Sequence, residues 1–377
     1  MNFDLSDDQR MLKDTARTFL EREVPSARLR ALLDDPRGYT DELWSKIAEL
    51  GWPGLAVPEA YGGVGLGFLD LAVVLEEAGR ALLPGPFFSA AVLAGTTLAD
   101  TGSEAQKAHW LPEIAAGKAI GALAVWEEGG AWSAESIATK ARKGKGGFTL
   151  SGRKAAVLDA HVADFLLVAA KLGGGVVLFL VDPKAKGVAI EPMKTVDGTR
   201  RLSNVTLAGV KVGEDAIVGE ATDGWPAISR ALDRAAAGMA AEMVGGAGKA
   251  LEMSVEYAKI RVQFGRPIGS FQAVSHRLAD VLVAIEIGRS LCYAACLRLD
   301  EGHADAQVFA SAAKAWMSET AVDAAEAALQ LHGGIGYTWE LDVHLHLRRA
   351  RANAVSLGDA AWHRERIAEH VAARQRA

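Results

Sequence analysis

Residues 261–272, with the sequence RVQFGRPIGSFQ, bring a cation, an amide and an aromatic ring close together in the chain. Arg261 offers a planar guanidinium that suits a pyrophosphate, Gln263 can hydrogen-bond a phosphate or a ribose, and Phe264 can stack on adenine. These residue types predict a contact with a dinucleotide. An ordinary turn between two helices with an exposed arginine would have the same sequence, so on this segment alone both interpretations stay open.

A second segment, residues 330–337 with the sequence QLHGGIGY, follows an alanine-rich run with helical character. Gly333 and Gly334 would end that helix and would let a ligand approach the backbone closely. Two glycines after a helix are common, so this motif gains its meaning from the first one.

Together, R-x-Q-F-G-x-P-I-x-x-x-Q and, farther along, Q-x-x-G-G-x-G-Y resemble the acyl-CoA dehydrogenase family. The resemblance extends over almost the whole chain. Residues 54–65 match the family loop G-L-x-V-P-E-x-Y-G-G-x-G. The family segment V-x-E-E-x-G-R is matched at Glu76, Glu77, Gly79 and Arg80.

The resemblance implies a reaction, a cofactor and an assembly. Family members oxidise an acyl-CoA thioester to its trans-2-enoyl form with FAD as the hydride acceptor, and an electron-transfer flavoprotein or a similar protein is the expected electron acceptor. They usually assemble as tetramers, in which the hairpin that carries Arg261 reaches the flavin of a neighbouring subunit. The FAD contacts implied here are Arg261, Gln263, Phe264, Gln330, Gly333 and Gly334.

The glutamate that removes the substrate α-proton in this family is missing at both of its alternative positions. Counting on from the Gly-Tyr pair at residues 336–337 places one position on Leu357, and counting back from Arg261 places the other on Ala235. Neither side chain accepts a proton, although the backbone N–H of Leu357 can still polarise a thioester carbonyl. The catalytic base is therefore unknown from the sequence.

Three carboxylates near these positions need an interpretation. Asp359 is a candidate base, but an aspartate at this place would equally cap the last helix. Glu242 shares a helix face with Ala235 and lies about 10 Å farther along the axis, which favours a structural role. Asp233 aligns with a family aspartate that contacts the pantetheine arm of CoA, so the resemblance implies a substrate contact.

The middle of the chain also departs from the family pattern. The family segment T-E-P-x-x-G-S, whose Thr and Ser meet the flavin, reads W-E-E-G-G-A-W here and retains only Glu127. Trp126 is a candidate flavin contact, and the alternative is that it fills a gap between domains. Where the family often has W-I-T/S-N, residues 156–159 read A-V-L-D, so contacts beside the flavin ring are weakened.

The elements that position these residues follow from periodicity and turn signals. Helical patterns fill residues 1–120 and 223–377, whereas short β-rich runs separated by turn clusters fill residues 121–222. We therefore expect a mainly α-helical chain with an N-terminal helical domain (1–120), a middle β-barrel or β-sandwich domain (121–222) and a C-terminal four-helix bundle (223–377). Helices are expected at residues 4–24, 41–50, 70–80, 87–100, 104–116, 225–260, 271–299, 304–332, 338–353 and 359–374, and strands at 148–151, 164–170, 176–181, 188–192 and 205–212.

Bulk properties exclude several other classes of protein. The net charge of −6 argues against a nucleic-acid partner and against binding to an anionic membrane surface. The sequence opens without a signal-peptide pattern, and its most apolar run is too short to span a bilayer, so we expect a cytoplasmic protein. Cys292 and Cys296 are expected to be buried thiols. His344 and His346 point to different helix faces, so no metal site is expected.

Three functions remain open. In the first, the chain is an FAD-dependent acyl-CoA dehydrogenase that forms a homotetramer and uses a displaced base. Alternatively, it is a non-catalytic subunit of a heterotetramer, which lends its FAD contacts to a homologous partner that carries the glutamate. A flavin oxidase or oxygenase on the same fold is the third possibility, and Asp233 argues against it because only a CoA substrate needs that contact.

Overall fold

The first helix begins where the sequence supplies its own cap. In the computed structural model, which describes residues 5–376, Ser6 Oγ accepts a hydrogen bond from Gln9 N (3.2 Å) and Gln9 Oε1 accepts one from Ser6 N (3.0 Å). This reciprocal capping box satisfies two N–H groups that have no partner inside the helix. Ser103 and Gln106 cap a later helix in the same way.

The helices lie close to the predicted positions, with three main differences. Residues 88–95 form a π-helix rather than an α-helix, and a short helix that was not expected follows the first one. The helix expected from residue 338 begins only at Val343. The α-helices are α1 (Asp7–Glu23), α2 (Ser26–Leu33), α3 (Asp41–Glu49), α4 (Phe68–Arg80), α5 (Thr96–Thr101), α6 (Glu104–Ala115), α7 (Trp225–Ile260), α8 (Gln272–Asp300), α9 (Ala306–His332), α10 (Val343–Val355) and α11 (Ala360–Arg376).

The middle of the chain forms one eight-stranded sheet. Its strands are β1 (Gly121–Ala124), β2 (Lys140–Gly144), β3 (Gly147–Leu158), β4 (Phe165–Leu172), β5 (Gly175–Val181), β6 (Val188–Pro192), β7 (Leu202–Val212) and β8 (Ile217–Val218). The order is β6-β7-β3-β2-β4-β5-β8, and β1 pairs with β4 in parallel. A separate hairpin joins β9 (Val262–Gln263) to β10 (Arg266–Pro267). The predicted fold class, helical segments on both sides of a β segment, is confirmed.

Contacts between Cα atoms divide the described chain into two compact units. The first contains the described residues up to 31, residues 68–83 and those from 236 onward; the second contains Leu32–Gly67 and Pro84–Ala235. The predicted domain boundaries after residues 120 and 222 stay a prediction. In the second unit, apolar side chains of the long strands form a buried core around Leu150, Leu166, Phe179 and Val205.

In the first unit, α4 packs closely against α7 because both helices carry glycine at the contact. A Cβ atom at Gly79 would lie 2.0 Å from the carbonyl oxygen of Glu242, and one at Gly245 would lie 1.7 Å from that of Glu76. Any side chain at either position would push the helices apart.

Two carboxylates of α4, those of Glu76 and Glu77, are buried and paired. The Glu76 carboxylate accepts hydrogen bonds from Tyr293 Oη (2.7 Å) and Lys13 Nζ (2.8 Å), and Arg17 donates two to Glu77. The family segment around Glu76 and Glu77 is thus part of the packing between helices. Among residues 5–376, no helix is both long enough and apolar enough for a bilayer span.

Candidate functional site

The hairpin after α7 is a tight two-residue turn. Val262 and Gln263 of β9 pair antiparallel with β10, and Phe264 (φ +53°) and Gly265 (φ +77°) connect them. Positive φ at both central residues is the type I′ geometry that matches the twist of paired strands. Gly265 adopts a positive φ without strain, whereas for Phe264 this conformation is strained. The Phe264 side chain is 93% exposed. The turn therefore displays an aromatic ring at its tip.

The polar side chains of this tip are available to a ligand. Arg261 is exposed, and within the described residues its guanidinium makes no hydrogen bond or ion pair. Gln263 Nε2 donates to the neighbouring carbonyl of Val262 (2.8 Å), a local contact that a ligand can replace. In contrast, the Arg266 guanidinium lies 4.0 Å from the centroid of the Phe271 ring, where the ring face attracts the cation.

The Gly-Gly segment follows α9 in the same unit. Gly333 adopts φ +61° and ψ −139°, a conformation that is essentially confined to glycine. A Cβ atom at Gly333 or Gly334 would meet nothing within 4 Å, so the backbone is open to an approaching group. Gln330 is exposed one turn earlier. His332 stacks on Tyr257 of α7, with ring centroids 4.3 Å apart, which ties the end of α9 to α7.

The loop between α10 and α11 carries Leu357 in a left-handed conformation (φ +59°), followed by Gly358 (φ +95°). The buried Lys314 Nζ donates to the carbonyl oxygens of Gly358 (3.0 Å) and Ala354 (3.3 Å). His363 Nε2 donates to the carbonyl oxygen of Leu357 (3.0 Å). Two buried side chains thus hold the loop in place.

Both buried bases near this loop have shifted pKa values. Burial lowers the pKa of Lys314 to about 7, and it lowers the pKa of His363 to about 3, so this imidazole is neutral near pH 7. Ser311 Oγ lies 3.2 Å from His363 Nδ1 and can donate to it. Sequence reasoning missed Lys314 and His363, because neither belongs to a recognisable motif.

The carboxylates near the expected base positions have other partners. Asp359 Oδ1 accepts a hydrogen bond from Trp362 N (2.8 Å), so this side chain caps α11. Glu242 is buried with its carboxylate 3.5 Å from Arg349. Ala235 is fully buried, and Asp233 is buried at 4% exposure. The role of Asp359 as a base and that of Asp233 as a substrate contact stay predictions.

In the second unit, the segment after β1 is organised by a buried ion pair. Glu127 accepts hydrogen bonds from the backbone N–H groups of Ala138 (2.7 Å) and Thr139 (3.0 Å) and from Lys154 Nζ (2.6 Å). Lys154 is fully buried and also donates to the carbonyl of Val125 (3.1 Å), and burial lowers its pKa to about 8. The retained Glu127 therefore closes the loop, and Lys154, which sequence reasoning missed, is its partner.

Trp126 has partners of its own in this loop. Its ring stacks with Trp132 at 6.5 Å between centroids, and its Nε1 donates to the Gly130 carbonyl (3.2 Å). Both rings are half-buried. The two tryptophans thus replace the Thr and Ser of the family segment as a stacked pair, and the flavin contact of Trp126 stays a prediction.

Comparison with known proteins covers nearly the whole chain. Models of the N-terminal, middle and C-terminal domains of acyl-CoA dehydrogenases match residues 6–118, 122–211 and 222–372, respectively. The chain is 34% identical over 352 residues to the acyl-CoA dehydrogenase IpdE2 of Mycobacterium tuberculosis, with 92% of each chain covered.

Two solved structures are similar over their full length. The ChsE4–ChsE5 complex of Mycobacterium tuberculosis contains a chain with a TM-score of 0.91 and 29% identity, covering 99% of both chains. Butyryl-CoA dehydrogenase of Megasphaera elsdenii has a TM-score of 0.91 and 28% identity, covering 98% of this chain and 100% of the other. The chain thus belongs to the acyl-CoA dehydrogenase family, whose members are FAD-dependent oxidoreductases that act on CH–CH bonds.

Proposed function

We propose that this chain is a subunit of a heteromeric acyl-CoA dehydrogenase that converts an acyl-CoA thioester to its 2-enoyl form. In this proposal its hairpin tip and Gly-Gly segment contact the FAD of a homologous partner subunit, and the partner supplies the glutamate base. The observation that carries the proposal is a contrast within one unit. The hairpin tip around Arg261 is exposed and open, whereas Leu357, at the position where the base is expected, cannot accept a proton.

The chemistry of the exposed residues fits FAD. The guanidinium of Arg261 has free donors in the planar arrangement that pairs with phosphate oxygens. The ring of Phe264 offers a flat, solvent-exposed face for adenine. Around Gly333 and Gly334 the open space admits a cofactor to the backbone. FAD, when bound, supplies the acceptor for the hydride that leaves the β-carbon of the substrate.

The residues near the expected base argue for a partner that carries it. An unactivated thioester α-proton requires a positioned base and a polarised carbonyl. Leu357 retains a backbone N–H for the carbonyl but has no acceptor side chain. One carboxylate oxygen of Asp359 accepts the hydrogen bond that caps α11, and Glu242 faces the buried Arg349. The chain therefore has a backbone N–H that could polarise the thioester carbonyl, but no side chain that could remove the α-proton at the expected place.

The relatives are compatible with an assembly of unlike subunits, since one of the similar structures is a complex of ChsE4 and ChsE5. Asp233 would contact the pantetheine arm of CoA, and an electron-transfer flavoprotein would reoxidise the cofactor. A homotetramer that uses Asp359 as a displaced base is the second candidate. The exposure of Asp359, two residues after Leu357, favours it.

The test compares the chain alone with the chain co-expressed with a homologous subunit that has glutamate at the position of Leu357. We expect a stable complex of unlike subunits that retains FAD and is reduced by acyl-CoA under anaerobic conditions. The chain alone should retain little flavin and show no reduction. A yellow homotetramer that acyl-CoA reduces rapidly would overturn the proposal in favour of the second candidate.

A further inference from the structure

A cavity of about 410 Å³ lies within the first unit, and none of the residues that line it belongs to the hairpin tip. It is partly open to solvent and is lined by residues of α1, α2, α4, the second half of α7 and the start of α10. Its volume falls within the roughly 300–1,000 Å³ that small-molecule pockets span. Much of its wall is apolar, formed by Leu20, Val24, Leu29, Leu82 and Met253. A cavity with such walls suits the apolar part of a ligand.

His346 lines this cavity and is 6% exposed. Its Nδ1 is enclosed without a hydrogen-bond partner, and within the described residues its other ring nitrogen has none either. Burial lowers the pKa of this histidine to about 4, so the ring is neutral near pH 7 and offers one donor and one acceptor. A buried polar group without a partner is costly, and a bound ligand is one way in which it is satisfied.

Arg80 brings unused donors to the same cavity. Its guanidinium has five N–H groups, and one terminal nitrogen donates to Glu252, which also accepts from Lys249 Nζ (2.6 Å). Glu21 approaches that nitrogen only to 4.0 Å. The side chain of Arg80 is largely buried, at 16% exposure. The N–H groups of the guanidinium that have no partner match a carboxylate in geometry and charge.

The other charged groups limit what this ligand can be. Glu21, Glu77 and Asp342 also line the cavity, and their carboxylates would repel a doubly charged phosphate more strongly than a single carboxylate. Arg17 already donates two hydrogen bonds to Glu77, so it offers no second guanidinium for a bidentate contact with the ligand.

We propose that the cavity binds a small carboxylic acid with an apolar tail. Its carboxylate pairs with the N–H groups of the Arg80 guanidinium that have no partner and accepts a hydrogen bond from the N–H of the His346 imidazole. Its tail lies against Leu20, Val24, Leu29 and Met253. This site is separate from the FAD contacts and does not depend on which subunit carries the catalytic base.

The test is isothermal titration of the full chain, in the form in which it is purified, with sodium octanoate at pH 7.5. The neutral 1-octanol and the cationic octylamine share the tail and lack the carboxylate. We expect saturable one-site binding of octanoate and at least tenfold weaker binding of the other two. Arg80→Gln should weaken octanoate binding about tenfold or more, because a charge-assisted hydrogen bond is lost. Met253→Trp should abolish binding by filling the cavity.

Arg22→Gln is the matched control, since Arg22 lies on α1 with an exposed side chain outside the cavity and should bind octanoate as the wild type does. Circular dichroism of each variant establishes that it is folded. If Arg80→Gln disturbs the fold, Met253→Trp decides the question. Absence of saturable binding, equal binding of 1-octanol, or octanoate binding that survives Met253→Trp would each overturn the proposal.

Discussion

The Nε2 atom of His363 donates a hydrogen bond to the carbonyl oxygen of Leu357 at 3.0 Å. Lys314 holds the next carbonyl, that of Gly358, so two consecutive peptide groups of the loop have buried partners. Leu357 itself has φ +59°, which costs a non-glycine residue free energy unless its surroundings impose it. Buried side chains therefore maintain the backbone geometry at Leu357, the position where the family resemblance predicts the base.

The buried Lys314 predicts an unusual dependence of stability on pH. Its folded pKa is about 7, below the ordinary value of 10.5 that applies in the unfolded chain. Between these values the unfolded state binds more protons, so stability rises with pH and this contribution is lost as the pH falls through 7. The unfolding free energy of wild type minus that of Lys314→Met should increase by about 1 kcal/mol per pH unit from pH 8 to 10.

Urea unfolding at several pH values measures this difference. Lys259→Met is the control, because Lys259 is exposed and its ion pair with Glu256 lies on the surface of α7. That variant should follow the wild type at every pH. A flat difference for Lys314→Met would mean that Lys314 keeps an ordinary pKa in the folded protein.

Gly333 and Gly334 form a matched pair with different demands. Gly333→Ala should destabilise the chain by about 1–3 kcal/mol, because φ +61° with ψ −139° strains any residue with a Cβ atom. Gly334→Ala should stay within about 0.5 kcal/mol, since its φ is not positive and the added methyl group meets open space. Chemical denaturation separates the two, and similar losses for both would contradict the assignment of strain to Gly333.

Much of the helical architecture could be predicted from the sequence. The predicted bounds of α7, residues 225–260, are those of the structure, because a long apolar period ends at a turn rich in Gly and Pro. The break between the helices expected at residues 225–260 and 271–299 was also predicted, although the type I′ geometry of the hairpin tip required the dihedral angles of Phe264 and Gly265. Local signals of this kind act within a few residues.

Features that depend on distant contacts could not be predicted. The π-helix Phe88–Gly95 has a sequence that suits an ordinary α-helix, and β2 is mostly polar. Lysine is rarely fully buried, so nothing in the sequence marks Lys314, whose carbonyl partners lie about forty residues later. The contacts of Lys314 and His363 with the loop at Leu357 form only because α9, α10 and α11 pack together.

Arg261→Ala should weaken FAD binding by the assembled enzyme about 10- to 100-fold, because a charge-assisted contact with the pyrophosphate is lost. Its exposed guanidinium has no partner within residues 5–376, so the thermal midpoint should stay unchanged. Arg266→Ala is the control from the same hairpin, since Arg266 already lies over Phe271. Flavin retention on serial dilution is the measurement, and equal retention in Arg261→Ala and wild type would remove Arg261 from the cofactor site.

Asp233→Ala tests the substrate contact. If Asp233 holds the pantetheine arm, the substitution should raise KM for acyl-CoA far more than it lowers kcat, because a contact present in both ground and transition state is lost. Asp233 is buried, so Asp233→Asn, which keeps the size of the side chain, controls for loss of packing. Steady-state kinetics of the assembly give both constants. A collapse of kcat at constant KM would instead identify Asp233 as the missing base.

Leu357→Glu separates the proposed function from the second candidate. It places a carboxylate where the family base is expected, on a backbone that His363 and Lys314 hold in position. If the chain used its own flavin with a poor or displaced base, this substitution would raise the rate of flavin reduction toward the 10²–10⁴-fold that a general base contributes. If the partner carries the working glutamate, Leu357→Glu should bring no gain.

Anaerobic stopped-flow reduction by acyl-CoA measures these rates in wild type, Leu357→Glu and Asp359→Asn, alone and with the homologous subunit. We expect unchanged rates for both variants in the complex, and a large loss when the glutamate of the homologous subunit is replaced by glutamine. Asp359 caps α11, so the effect of Asp359→Asn should be confined to stability. A slow complex that Leu357→Glu accelerates a hundredfold, or an active chain that Asp359→Asn silences, would return the base to this subunit.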